Sequence, residues 1–157
     1  MKRACIVTVD VAGARICLYQ EQAKPGFEMT EYKDLDNPGR RLKPSEMVSD
    51  RTDLSRRDGP PYDDHRFAHV EVLDARFAKQ VVETIGHVLH DKQMGHLILI
   101  AAPRMLGVLR AAGGLDRPEL RVDEVSSDLS RLTMSQLHDQ LAAKDLIPPR
   151  TRIAAAR

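Results

Sequence analysis

The sequence predicts an α/β domain built on a mixed five-stranded sheet, with the element order βββαβαβα. Three observations carry this expectation: two short β-branched runs around a turn at the start of the chain, a long stripe of apolar residues at helical spacing in the middle, and a continuous apolar run of strand length directly after that stripe. At 157 residues the chain buries a core without help from disulfides or metals, and it reads as one domain, 1–147, with a flexible tail at 148–157.

Residues 4–9 (ACIVTV) and 14–20 (ARICLYQ) are the two runs, and the turn-like residues 10–13 between them make a β-hairpin. After the turn at Lys24-Pro25-Gly26, residues 27–32 alternate roughly with period two, which fits a third, partly exposed strand. Residues 37–64 then carry six prolines or glycines among many charges and few apolar residues, so they read as a long mobile loop outside the core. Asp63 or Asp64 caps a helix in which Phe67, Val70, Phe77, Val81, Ile85, Val88 and Leu89 form one apolar stripe as far as about residue 92. Residues 96–101 (HLILIA) form a short run, apolar after His96, as a parallel strand buried on both faces requires. Pro103 suits the first turn of a helix that Gly113-Gly114 stop, residues 119–125 alternate as an outer strand, and Ser130 or Thr133 caps a last helix over 134–144. This order of elements is that of the ribonuclease-H-like folds.

Charge removes one class of function. Lysine and arginine number 24 against 23 aspartates and glutamates, so the body lacks the global positive field of a dedicated nucleic-acid binder. The exception is local: residues 39–57 hold Arg40, Arg41, Lys43, Arg51, Arg56 and Arg57 against three acidic residues. The amino terminus imitates a signal peptide, but residues 4–9 are shorter than an apolar signal core and Asp10 interrupts them. No run approaches the ~20 apolar residues of a membrane span, so the expected place is the cytoplasm, with no membrane partner. Cys5 and Cys17 lie in adjacent apolar runs, could be cross-strand neighbours, and are expected to be reduced.

A two-metal nuclease on such a fold needs carboxylates converging from the first strand, the first helix and the tip of the fourth strand. Asp10 with Glu71 or Asp74 supplies two of these positions, but the fourth strand runs into Ala101-Ala102-Pro103 and brings no third ligand. The pairs His65/His69 and His87/His90 have helical spacing but no third ligand, and they read as solvated surface histidines rather than as a metal site. The helix after Ala102 offers exposed amides, with Arg104 beside them, for an anion; packing alone also explains that segment. No catalytic residue, cofactor or metal is assigned.

Six segments in order resemble the bacterial host-attachment family: Gly13-Ala14-Arg15 followed by Ile16-Cys17-Leu18-Tyr19, Asp34-Leu35-Asp36-Asn37-Pro38, Ser49-Asp50-Arg51, Phe77-Ala78, 102–110 (APRMLGVLR), and Ser127-Asp128-Leu129-Ser130. Ala12 departs from the polar residue usual before the glycine. The family in turn is similar to the middle domain of the archaeal and eukaryotic class-one release factors, whose Gly-Gly-Gln tip precedes an Arg-Phe-Ala segment. Arg66-Phe67-Ala68 stands in that second place, while the tip reads Gly59-Pro60-Pro61-Tyr62, without the glutamine that positions water and with two prolines that remove backbone donors. The resemblance therefore implies a non-catalytic protein that binds the ribosome or structured RNA, in rescue or dormancy rather than termination. The alternatives are a metal-dependent hydrolase or nuclease acting through Asp10 and Glu71, and an indirect part in attachment to host cells.

Overall fold

The structure is a computed structural model that describes residues 2–21, 29–38 and 61–150, with the backbone alone for 61–69. Within these residues the chain forms strands β1 (Arg3–Val9), β2 (Gly13–Gln20) and β3 (Met29–Asp36), helix α1 (Pro61–Asp91), strand β4 (His96–Ala101), helix α2 (Pro103–Ala112), strand β5 (Arg121–Ser126) and helix α3 (Met134–Ala143). The sheet order is β3-β2-β1-β4-β5. The hairpin strands pair antiparallel, and β1, β4 and β5 run parallel. The mixed five-stranded sheet and the order of elements agree with the sequence expectation.

The two central strands are buried on both faces because their side chains are mostly apolar on both, with Thr8 and His96 the buried polar exceptions. Alternation sends Cys5, Val7 and Val9 into one cluster with Phe77, Val81, Ile85 and Leu109 of α1 and α2. It sends Ala4 and Ile6 into a second cluster with Ile98, Leu137 and Leu141, under α3. Helix α1 is about 46 Å long by its 31 residues, against about 20 Å for β4, so it outreaches the strands it covers. It stops where Gln93 takes a left-handed conformation, φ 51°, and where the Arg3 guanidinium donates to the carbonyl of Lys92 at 2.8 Å. The hydroxyl of Thr133 and the side chain of Gln136 close a reciprocal cap on α3.

Four boundaries and one register differ from the sequence reading. Strand β3 continues to Asp36, because residues 30–34 are exposed on an edge strand and show no alternation to read. Helix α1 begins at Pro61 rather than after Asp63 or Asp64, since proline costs nothing in a first turn. Strand β5 spans Arg121–Ser126, two residues later at its start than expected. Past Ile147 the chain stays on α3: His138 Nε2–H donates to the Pro148 carbonyl at 2.7 Å, and Arg150 pairs with Asp139. Cys5 faces Leu18 in the register and Cys17 faces Ile6, so the two thiols point to opposite faces of the sheet. Both are unpaired, and burial pushes Cys5 up to about 12 and Cys17 up to about 11.

Candidate functional site: the carboxyl edge of the parallel strands

The strands β1, β4 and β5 end at one edge of the sheet, and β3, antiparallel to β2, ends there too. Open α/β sheets bind ligands outside the carboxyl ends of their strands, which makes this edge the place to build from. The turn after β1 is held by Asp10, whose Oδ1 accepts from the amides of Ala12 at 2.7 Å and Gly13 at 2.9 Å. Asn37, buried at the end of β3, locks onto the same turn. Its side-chain amide donates to the Val11 carbonyl and its backbone N–H to the Ala12 carbonyl, both at 2.9 Å. Gly13 is required where β2 meets β3, since a Cβ there would lie 2.4 Å from the Leu35 carbonyl oxygen.

Arg15 is the hub of this edge. Its Nη1 donates to the carbonyls of Ser130 at 3.1 Å and Leu132 at 2.7 Å, and its Nε donates to Glu31 at 3.1 Å, tying the β5–α3 connection to the hairpin. In the same connection the Ser130 hydroxyl donates to Asp128 at 2.7 Å, and this bond first, then the Ser130 amide, holds Asp128 below the usual aspartate range. Asp34 titrates above its ordinary value, first through desolvation and then through the hydrogen bond and charge of Glu31, with Arg15 acting against them. Thr8, one residue before the end of β1, is 1% exposed, and its hydroxyl has no hydrogen-bond partner.

Some of the residues singled out in the sequence lie here, in other roles. Asp10 holds the turn. Arg104, read as a candidate anion ligand, donates to Asp74 at 2.9 Å, and Asp74 is wholly buried. Glu71 is exposed and lines a groove with Arg104, Gly107 and Val108. Among the described residues no three His, Cys, Asp or Glu side chains are grouped as a metal ion needs, so Asp10, Glu71 and Asp74 do not converge. His87 and His90 are exposed on α1. Arg40, Arg41, Lys43, Arg51, Arg56, Arg57, Gly59 and Pro60 lie outside the described residues, and Pro61, Tyr62 and Arg66 fall where α1 is described by backbone alone. The sequence reading missed Thr8, whose threonine looks like one more β-branched residue in an apolar run. It used Arg15, Asp34 and Asp36 only as marks of resemblance.

Fold and edge together define a mixed α/β domain whose polar side chains concentrate where its parallel strands end. Three of the six segments noted for their resemblance, 13–15, 34–38 and 127–130, meet at that edge. The chain belongs to the family described as protein required for attachment to host cells, whose profile matches residues 5–141. No curated protein matches it. Among the described residues no helix is long and apolar enough to cross a membrane.

Proposed function

We propose that this member of the host-attachment family is a cytoplasmic, non-catalytic protein that binds the ribosome or structured RNA through residues 39–60, as a translation or stress factor of the rescue or dormancy kind. The observation that carries the reading is where that basic stretch is rooted. Its near end leaves Asn37, clamped to the turn after β1, and its far end enters α1. The body of α1 runs from the carboxyl edge, where Asp74 meets Arg104 at the start of α2, to the amino end of β4. The near root therefore belongs to the edge at which open α/β sheets bind, and the far root enters α1 about 20 Å beyond the Asp74 contact on that same side. Six basic side chains against three acidic ones suit phosphates, and each neutralised phosphate releases counterions, so binding weakens as salt rises. The resemblance in element order to ribonuclease-H-like folds and to the release-factor middle domain belongs to this proposal, as does an indirect route from translation to host attachment. Hydrolysis through Asp10 and Glu71 is the less supported reading, because Asp10 already accepts two turn amides.

The test is sucrose-gradient sedimentation of lysates from growing and starved cells at low salt. Wild type is expected in the ribosomal fractions, and a variant with Arg40, Arg41, Arg51, Arg56 and Arg57 changed to serine at the top of the gradient. Wild type at the top in both states overturns the proposal, and equal co-sedimentation of the two proteins removes the basic stretch from it.

A further inference from the structure

The two strands at the margins of the sheet, β3 and β5, are built differently. Along β3 the register to β2 slips between Ile16 and Cys17, and the strand is exposed for most of its length, with Lys33 near its middle. A bulge and an edge lysine are devices that keep a strand from pairing with another chain. Strand β5 has neither. It pairs with β4 without a break from Arg121 to Ser126, and among the described residues no strand lies on its other side. The amides of Arg121 and Ser127 donate toward β4, to the carbonyls of Gly95 and Ala101. Alternation therefore turns the amides and carbonyls of Val122, Glu124 and Ser126 outward.

The side chains of this edge select the partner, because they complement themselves. Arg121 and Asp123 lie on the face under α3, where Oδ2 of Asp123 meets His96 at 2.7 Å and Nε of Arg121 at 3.1 Å. Among the described residues Oδ1 of Asp123 and both Nη of Arg121 have no partner. A carboxylate accepts at both oxygens and a guanidinium donates from all three nitrogens, so each has capacity left. An antiparallel second copy of β5, related by a two-fold axis at Val122, sets Arg121 opposite Asp123 of that copy, and Asp123 opposite its Arg121. Val122 then faces Val122, and Glu124 falls opposite Leu120 with its charge already held by Arg110. Axes at Asp123 or Glu124 would instead oppose like charges directly, which destabilises a cross-strand pair.

We infer that β5 pairs antiparallel with β5 of a second copy of this chain about an axis at Val122, joining the two sheets into one. The outward backbone groups supply the attraction, and the crossed Arg121 and Asp123 pairs fix the register. An edge of six residues places the contact among the small, transient interfaces, so monomer and dimer exchange with concentration. The interface does not involve residues 39–60, so it stands or falls separately from ribosome binding.

Sedimentation equilibrium of the full chain decides the matter. Wild type is expected to pass from monomer to dimer mass as its concentration rises to about 0.5 mM, a range that captures weak interfaces. Val122→Pro removes an outward amide and spares those that face β4, so it is expected to stay monomeric while circular dichroism and thermal melting show it folded. Arg121→Asp sets like charges across the axis and is expected to weaken dimerisation by about tenfold. A cysteine scan reads the register. Opposed residues in a hydrogen-bonded antiparallel pair stand about 5.5 Å apart at Cα, within the span of a disulfide, so Val122→Cys is expected to form a linked dimer on oxidation and Glu124→Cys is not. The native Cys5 and Cys17 are buried and do not compete. The inference is overturned if wild type is monomeric at the highest concentration, which leaves the edge to another protein's strand or to none. It is overturned equally if folded Val122→Pro or Arg121→Asp dimerises like wild type, or if Val122→Cys fails to link.

Discussion

The face of the sheet under α3 has two ends, and they treat polar groups in opposite ways. At the amino end of β4, His96 meets Asp123 at 2.7 Å and Arg121 meets the same carboxylate at 3.1 Å, so a nearly buried imidazole, an acid and a base satisfy one another. Near the amino end of β1, Tyr19, the partner of Ala4, stands edge-on to His138, which is bonded in turn to the Pro148 carbonyl. At the carboxyl end of the same strands, Thr8 has no partner and three aspartates surround a recess with one committed arginine. Polar groups that answer one another serve the fold. At the carboxyl end the Thr8 hydroxyl is the group left unanswered, while Asp10 accepts two turn amides and Arg15 is committed to Glu31 and two carbonyls.

The largest effect comes from the joint beneath the recess. Gly13→Ala drives a Cβ into the Leu35 carbonyl, and the β2–β3 pairing must part; we expect a loss of about 3 kcal/mol, read as a fall of roughly 10 °C in Tm. Asp123→Ala, at the closed end, strips the partner from a nearly buried His96 and is expected to cost about 2 kcal/mol in urea denaturation. Equal losses for Asp123→Ala and the exposed Asp34→Ala would erase the distinction between the ends.

A smaller effect follows from His138. Burial holds its pKa below the ordinary 6.5, against the Pro148 hydrogen bond, so the unfolded chain takes up the proton first as pH falls. Its stabilisation is therefore complete above the unfolded pKa and drains as pH falls through 6.5 toward the lower folded value. Urea midpoints are expected to decline between about pH 7.5 and about pH 5.5, and the decline is expected to flatten in His138→Gln. The smallest effect belongs to Thr8→Val, which removes an unanswered hydroxyl and is expected to leave stability unchanged or raise it by up to about 1 kcal/mol. A loss of 2 kcal/mol or more (~2, the cost of a satisfied buried bond) would mean that the recess is structural after all.

The fold was legible wherever burial imposes a period. The stripe from Phe77 to Leu89 and the continuous run of β4 each dictate one element, and Pro103 with Gly113 marks both ends of α2. Legibility failed where burial is one-sided or absent. Lys33 to Asp36 look like loop because both faces of an edge strand are wet, and Pro61 looks like a breaker although a first turn accepts it. The site was harder to read, because a site depends on which residues meet. Asp10 and Arg104 were singled out for their chemistry, yet the structure commits one to a turn and the other to Asp74. Thr8 drew no notice, since its distinction is the absence of a neighbour, and no spacing in a sequence records that.

Asn37 adds a mechanical consequence. Its two hydrogen bonds suture the residue directly after β3 to the loop after β1, and Pro38 follows directly. A pull applied to the chain beyond Pro38 is thus delivered first to Val11 and Ala12, and through them to the Asp10 carboxylate that braces Ala12 and Gly13. Pro38 and the turn form one load path, with Asn37 as its rivet. Tension on the one is strain in the other.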